Sequence, residues 1–380
     1  MAERGTPIAV RCLVEALCDL GHKVDLLAYP LGDDVSYPGL RLLRSPRPPL
    51  VGEVGVGISI SKLVYDAWLV PRMLWLLWRE KYDVVHAVEE SLFPAALWSS
   101  LTGQHFVYDM DSCLSDGVST QWRVFAPLRS LLRWIERLAV RRASLVLPVC
   151  ADLADIFRQD LDSNQIVILP DFSVSTDAHD GPSEELRTDS MGSAPLCLYV
   201  GNLGRYQGIE MLLEAIALLD PSLPGQFVII GGPDSAVRRL KVLARNHGIQ
   251  GRVHFIGPRP LQALGGILSQ ADILISPRLS GVNTPMKIYA YMHSGVAIVA
   301  TDIRSHTQVL DGTMAELVGV SAQSLADGLR SLLSDPERRQ SLGESARSLV
   351  LQEYTQEAYR RRLAGAYGRL IGTMFGVQDS

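Results

Sequence analysis

Apolar positions along this chain switch between two spacings, one of about 3.6 residues and one of short unbroken runs, and the switching marks out strand-helix units. Between residues 6 and 29, Ile8, Cys12, Leu13, Ala16, Leu17 and Leu20 share one helical face. Gly21 stops that helix, and 24–29 reads as a buried strand. Further units follow: a strand in 82–88, a helix ending at Gly103, a strand in 105–111 and a long helical stretch to Arg142. Another strand in 143–150, a short helix in 151–161 and a strand in 165–171 close the first half. Residues 173–195 are polar and rich in Ser, Asp, Gly and Pro, the composition of a linker. Alternation resumes at 196 and runs to about 334, and 353–375 reads as a terminal helix.

Short apolar strands separated by helices predict α/β domains built on parallel sheets. At 380 residues the chain exceeds one ordinary core and suits two such domains. The expected division is 1–172, a linker over 173–195, a second domain over 196–350 and a terminal helix over 351–380. A domain of this kind should open on a strand, whereas the first element here is the loop and helix that ought to follow one. The expectation is that the first strand of the N-terminal domain is missing and that the start is assigned late.

Composition narrows the class. An apolar content of 47% suits well-filled sheets, and a net charge of −5 leaves no global basic field for nucleic acid. The cysteines (Cys12, Cys18, Cys113, Cys150, Cys197) are scattered without zinc-like spacing, so they read as buried thiols and no metal is expected. No apolar run reaches the length of a membrane span and no signal peptide is apparent, so a cytoplasmic protein is expected.

Two motifs carry chemistry. In residues 198–219, "LYVGNLGRYQGIEMLLEAIALL", a strand runs into Gly201, Asn202 and Gly204, and a helix is expected at once behind them. Glycines let the backbone approach a ligand, and a helix start offers free N–H groups and the positive end of a dipole. In residues 271–310 a strand (273–276) leads through a polar loop with Gly281, Asn283 and Thr284 into a helix from Pro285, stopped by Gly295 and followed by a strand over 297–300. Asn283 and Thr284 are expected to cap that helix. Lys287 lies in its first turn, where a cation is disfavoured, so either a bound phosphate or a side chain reaching into solvent must explain it.

These two stretches, in this order and spacing, resemble the C-terminal half of the retaining family-four (GT4) glycosyltransferases of the GT-B fold, and the resemblance covers nearly the whole chain. It implies two Rossmann-like parallel-sheet domains facing a central cleft, with the terminal helix crossing back onto the first. It also implies transfer of a sugar from a nucleotide-activated donor to a glycan or lipid-linked acceptor, with retention, no metal and no cofactor. The donor would be bound by Gly201, Asn202, Gly204, Arg205, Gln207, Gly281, Asn283, Thr284 and Lys287. In the family a cationic pair flanks the first loop, but Asn202 and Gln207 are neutral, which leaves Arg205 as the nearby cation. The family's two glutamates fall on Val282 and Ala290, so the usual ribose anchor is absent.

In the first half, "DVVHAVEE" and "VYDMDS" resemble the family's strand ends near donor sugar and acceptor, which assigns His86, Glu89 and Asp111 to catalysis. Gly5, Thr6 and Asp109 fall on the acceptor side. A histidine at a strand end is more often packed than catalytic, whereas carboxylates at the end of a buried strand want partners. Residues 121–142 interleave arginines with Trp122, Leu131, Trp134, Ile135 and Leu138, a pattern that suits peripheral contact with an anionic membrane. Residues 68–78 read as an ordinary core helix. Two other functions fit the same fold: a non-catalytic protein that binds a sugar nucleotide or a partner, and a nucleotide-sugar epimerase.

Overall fold

A computed structural model describes residues 5–49, 60–121, 127–174, 185–187 and 191–375. The chain divides into two compact units, one comprising Gly5–Pro170 with the residues from Arg360 onward, the other Asp171–Tyr359.

The first unit holds α1 (Gly5–Asp19), β1 (Val24–Ala28), β2 (Leu40–Arg44), α2 (Ile60–Arg79), β3 (Val85–Val88), α3 (Leu92–Thr102) and β4 (Phe106–Met110). It continues with α4 (Leu114–Gln121), α5 (Arg129–Val140), β5 (Leu145–Pro148) and α6 (Ala151–Phe157). Strands β1 and β2 pair in parallel, and β3, β4 and β5 form a separate parallel sheet in that order. Among the described residues no strand bridges the two. The expected strand at 165–171 reduces to a single parallel bridge between Ile166 and Val146, and β2 is an element that the periodicity does not announce. The helical stretch leading to Arg142 comprises α4 and α5, with 122–126 outside the described residues.

The second unit holds β6 (Leu196–Val200), α7 (Ile209–Ala217), β7 (Gln226–Ile230), α8 (Asp234–Asn246), β8 (Val253–Phe255), α9 (Leu264–Leu268) and β9 (Ile273–Ser276). After these come α10 (Met286–Ser294), β10 (Ala297–Thr301), α11 (Arg304–Thr307), β11 (Glu316–Val318), α12 (Ala322–Ser334) and α13 (Pro336–Glu353). The last helix, α14 (Gln356–Phe375), begins in this unit and ends in the first. Its strands form one parallel sheet in the order β11-β10-β9-β6-β7-β8.

Alternation along each strand explains why these runs are apolar throughout. Cys197, Tyr199, Phe227, Ile229, Ile273, Ile275 and Val299 face one core, while Leu196, Leu198, Val228, Ile230, Leu274 and Ile298 face the other. Successive side chains of a strand point to opposite faces, so a sheet covered on both sides needs apolar residues at every position. Of the polar segment 173–195, 175–184 and 188–190 lie outside the described residues. Its described part is packed rather than free: Leu186 and Met191 are buried, and the Leu186 N–H donates to Gln270 Oε1 at 2.8 Å.

Candidate functional site

In the second unit the loop after β6 and the loop between β9 and α10 both lie at the carboxyl ends of parallel strands. Lys287 joins them. Its Nζ donates to Gln207 Oε1 at 3.1 Å and stands 4.1 Å from the centre of the Tyr199 ring. The ammonium is enclosed rather than reaching into solvent, and burial followed by repulsion from Arg278 pushes its pKa well below the ordinary lysine value. Neither Lys287 nor Arg278 has a carboxylate partner among the described residues.

Arg278 is the residue that sequence reasoning missed. It is 7% exposed, and its guanidinium donates to the Ser280 and Asn283 carbonyls at 2.8 and 3.0 Å and to Asn283 Oδ1 at 3.1 Å. It packs so close to the backbone of Gly281 that a Cβ there would overlap it at 2.0 Å. The available signal was an arginine two residues past a short, mainly apolar strand, a place where charge is seldom buried without a task.

The donor-side residues of the sequence separate under this geometry. Gln207 and Lys287 come together; Gly281 and Asn283 gather around Arg278. Gly201 lies 3.7 Å, measured from a Cβ built on it, from Lys287 Nζ. Asn202 instead closes its own turn, accepting from the Gly204 N–H at 3.1 Å, and Arg205 is exposed. A 3-10 turn (Arg205–Gln207) and Gly208 intervene before α7, so the expected immediate helix start is corrected.

The expected cap of α10 is also corrected. Pro285 holds the N-cap position with no side-chain cap, Asn283 is engaged by Arg278, and the Thr284 hydroxyl is buried without a partner. Among the described residues the start of α10 therefore retains free N–H groups beside a buried hydroxyl, the buried Arg278 and the half-buried Lys287, an arrangement that favours an anion.

Beneath this site His306 is fully buried, with Nδ1 2.8 Å from the Thr301 carbonyl and Nε2 2.9 Å from Ser276 Oγ. A carbonyl can only accept, so Nδ1 carries the proton and Nε2 accepts from the serine. Burial pushes the His306 pKa down to about 4. A depressed value means the stabilising neutral form is complete above the unfolded value near 6.5 and is lost as pH falls through about 4. The second unit should lose on the order of 3 kcal/mol across that window through this residue. His306→Gln should flatten the dependence of melting temperature on pH there, and an unchanged slope would remove His306 from the account.

In the first unit Glu89 is the unusual residue. It takes φ +49°, the left-handed region, immediately after β3. Thr6 Oγ1 donates to Glu89 Oε1 at 3.2 Å, and Lys62 Nζ contacts Glu89 Oε2 at 2.5 Å and Glu90 Oε2 at 2.8 Å. Burial opposes the Lys62 charge, but the two glutamates outweigh it and hold its pKa up. A strained non-glycine residue held by partners on two other elements marks a candidate site. Thr6 and Glu89 are thus brought together, and Gly5 begins α1 beside them rather than lying in a loop.

His86 is tied elsewhere. Its Nδ1 lies 2.8 Å from the Tyr367 hydroxyl on α14, and its ring stacks on that tyrosine. Its Nε2 faces Asp109 Oδ2 at 3.7 Å, beyond hydrogen-bond reach. Asp111 follows β4 and is half-buried.

Helix α5 shows an inverted face. Glu136 is buried, accepting from the Leu114 and Ser115 N–H groups and so capping α4 from a distance. Leu131, Trp134, Ile135 and Leu138 are exposed, as are Leu97 and Leu101 on the neighbouring α3. Arg129 and Arg133 pair with Asp116, and Arg137 and Arg141 with Asp160. Trp122 and the other residues of 122–126 lie outside the described residues. No described helix is long and apolar enough to cross a membrane.

Two family models divide the chain between them. Residues 4–171 match the glycosyl transferase 4-like domain, and residues 187–349 match glycosyl transferases group 1. Alpha-D-kanosaminyltransferase of Streptomyces kanamyceticus is 28% identical over 400 residues, covering 96% of this chain and 99% of that protein. Sucrose-phosphate synthase from Thermosynechococcus elongatus superposes with a TM-score of 0.78 at 22% identity, covering 97% of this chain and 94% of the other. HepE from Anabaena, solved in complex with UDP-glucose, superposes with a TM-score of 0.72 at 16% identity, each chain being 97% covered.

Proposed function

Because the chain belongs to the family-4-like glycosyltransferases of the GT-B fold, we propose that it moves a sugar from a nucleoside diphosphate to a glycan or lipid-linked acceptor, retaining configuration and using no metal. The observation that carries this reading is the half-buried Lys287 and the buried Arg278 at the uncapped start of α10, where neither cation has a carboxylate partner among the described residues. When the anomeric C–O bond breaks, its electron pair leaves on the diphosphate. Cations and N–H groups already fixed at that point stabilise the developing charge more than they stabilise the bound donor. Lys287 contributes the mobile charge, while Arg278 holds the loop of Asn283 and adds to the field.

In the first unit, Glu89 offers a carboxylate that can accept a hydrogen bond from an acceptor hydroxyl. Asp111, next to the same strand ends, serves the same sugar. His86 is a positioning residue whose Nδ1 is engaged by the Tyr367 hydroxyl, with Nε2 facing Asp109. The exposed apolar side chains of α3 and α5 give the protein a peripheral hold on a membrane surface. Pairing of four arginines with Asp116 and Asp160 makes that hold chiefly apolar, so vesicle cosedimentation should depend only weakly on salt.

The test is a panel of UDP-, GDP-, ADP- and dTDP-sugars, read by thermal shift and by nucleoside diphosphate release with and without acceptor extracts. One nucleotide class should raise the melting temperature, and release should require acceptor. Binding without transfer under any acceptor would make the protein a sugar-nucleotide binder, and conversion of the donor alone would make it an epimerase. If no nucleotide binds, the donor reading is wrong.

A further inference from the structure

The first unit contains a cavity of about 270 Å³ whose wall is almost wholly apolar. Leu63 from α2, Phe93 from α3, Leu114 from α4, and Leu132 and Ile135 from α5 supply that apolar surface, with Ser115 and Glu136 beside them. Lys62, Asp66 and Glu90 also line it, and Lys62 pairs with Glu89. Phe93 and Ile135 also belong to the exposed apolar face of α3 and α5, so the cavity is continuous with that face. The lining thus combines apolar side chains that reach the surface with the charged groups Lys62, Asp66 and Glu90. Three carboxylates (Asp66, Glu89, Glu90) meet one lysine, and the Tyr29 hydroxyl donates to Asp66.

We infer that this cavity seats the hydrocarbon chain of an amphiphilic acceptor, entering from the apolar face, with the acceptor's hydroxyl-bearing head held at Glu89 and Glu90. The inference rests on the acceptor-side reading of the first unit and deepens it to a substrate class, a lipid-linked sugar or alcohol. A chain is favoured over a bare glycan because an apolar wall offers sugar hydroxyls no partners, and unpartnered hydroxyls are costly to bury. The head is favoured at the carboxylates because hydroxyl groups donate and carboxylates accept there. Burial pushes the pKa values of Asp66 and Glu90 up.

The experiment measures binding of methyl, hexyl, octyl and decyl β-D-glucosides, below their micelle concentrations, to the full chain by calorimetry. Each methylene that enters the cavity should tighten binding about threefold to fourfold until its length is used, after which affinity levels off. Ile135→Trp, which fills the cavity from a half-exposed position, should abolish the chain-length dependence while leaving nucleoside diphosphate binding in the second unit unchanged. A flat series overturns the inference, and so does a dependence that survives Ile135→Trp. A diazirine-bearing decyl glucoside on the unaltered protein decides the matter even if that variant does not fold. Labelling of peptides holding Leu63, Phe93 and Ile135 supports the cavity, and labelling confined to other peptides refutes it. Loss of nucleotide binding with the chain-length series intact would instead count against the donor reading alone.

Discussion

Lys287→Ala should raise the dissociation constant for the nucleoside diphosphate roughly ten- to a hundredfold while leaving the unliganded fold intact or slightly firmer. The first half follows from a charge-assisted contact being worth about 1.5 to 3 kcal/mol. The second follows from burial, which together with Arg278 holds the Lys287 pKa well below its ordinary value. A depressed lysine opposes folding wherever it must carry charge, so its removal relieves the apo protein. An arriving diphosphate restores the preference for the ammonium. Binding should therefore take up a proton at pH values between the apo and the bound pKa, and affinity should fall as pH rises through that interval. Calorimetry in buffers of different ionisation enthalpy reads the uptake, which should vanish in Lys287→Ala. Unchanged affinity in the variant would sink the idea, as would lost affinity accompanied by a lower apo melting temperature.

Gly208→Ala should be among the most damaging single substitutions in the second unit. Gly208 adopts φ +73° between the 3-10 turn and α7, and a Cβ there would stand 1.9 Å from the Pro277 carbonyl oxygen. That oxygen belongs to the backbone leaving β9, so it cannot swing aside as a side chain would. The left-handed conformation alone costs an alanine about 1 kcal/mol, and forcing two backbone segments apart adds at least about 2 more. For a unit of this size the melting temperature should drop by roughly 6 to 12 °C. Gly248 is the control, since it has φ +72° with nothing near its missing Cβ. Gly248→Ala should lower the transition by only about 2 to 4 °C. Equal drops in the two variants would mean that conformation, not the approach of β9, sets the penalty at 208. Because Gly208 follows Gln207, which holds Lys287, Gly208→Ala should also weaken nucleotide binding.

Much of the molecule was legible because its signals are local. Apolar runs of five or so residues give β6, β9 and β10 within a residue of their bounds, since a strand covered on both faces has no polar position to blur it. Gly103 and Gly295 end their helices in the left-handed conformation that glycine adopts freely. The order of the two loop motifs sufficed for the family, and Lys287 stood out because a cation at a helix start is locally unfavourable.

Partnership across the sequence was not legible. Asn283 looks like a helix cap along the chain, yet Arg278 takes its side chain, because a buried guanidinium needs acceptors more than an exposed helix end needs a cap. His86 is the same imidazole in either reading, and only the fold shows that its Nδ1 meets Tyr367, 281 positions away. The residues of α5 scan as an amphipathic helix suited to an anionic membrane surface, but what its other face holds is not local information. Glu136 turns inward, because the N–H groups at the start of α4 need an acceptor, and the apolar stripe is left outside. Sequence by itself determined where most of the strands and helices fall and which loops follow strand ends, since spacing and backbone preference act over a few residues. Tertiary structure alone decided which side chains in those loops remain unpaired, because pairing depends on which distant groups the packing brings within 3 Å.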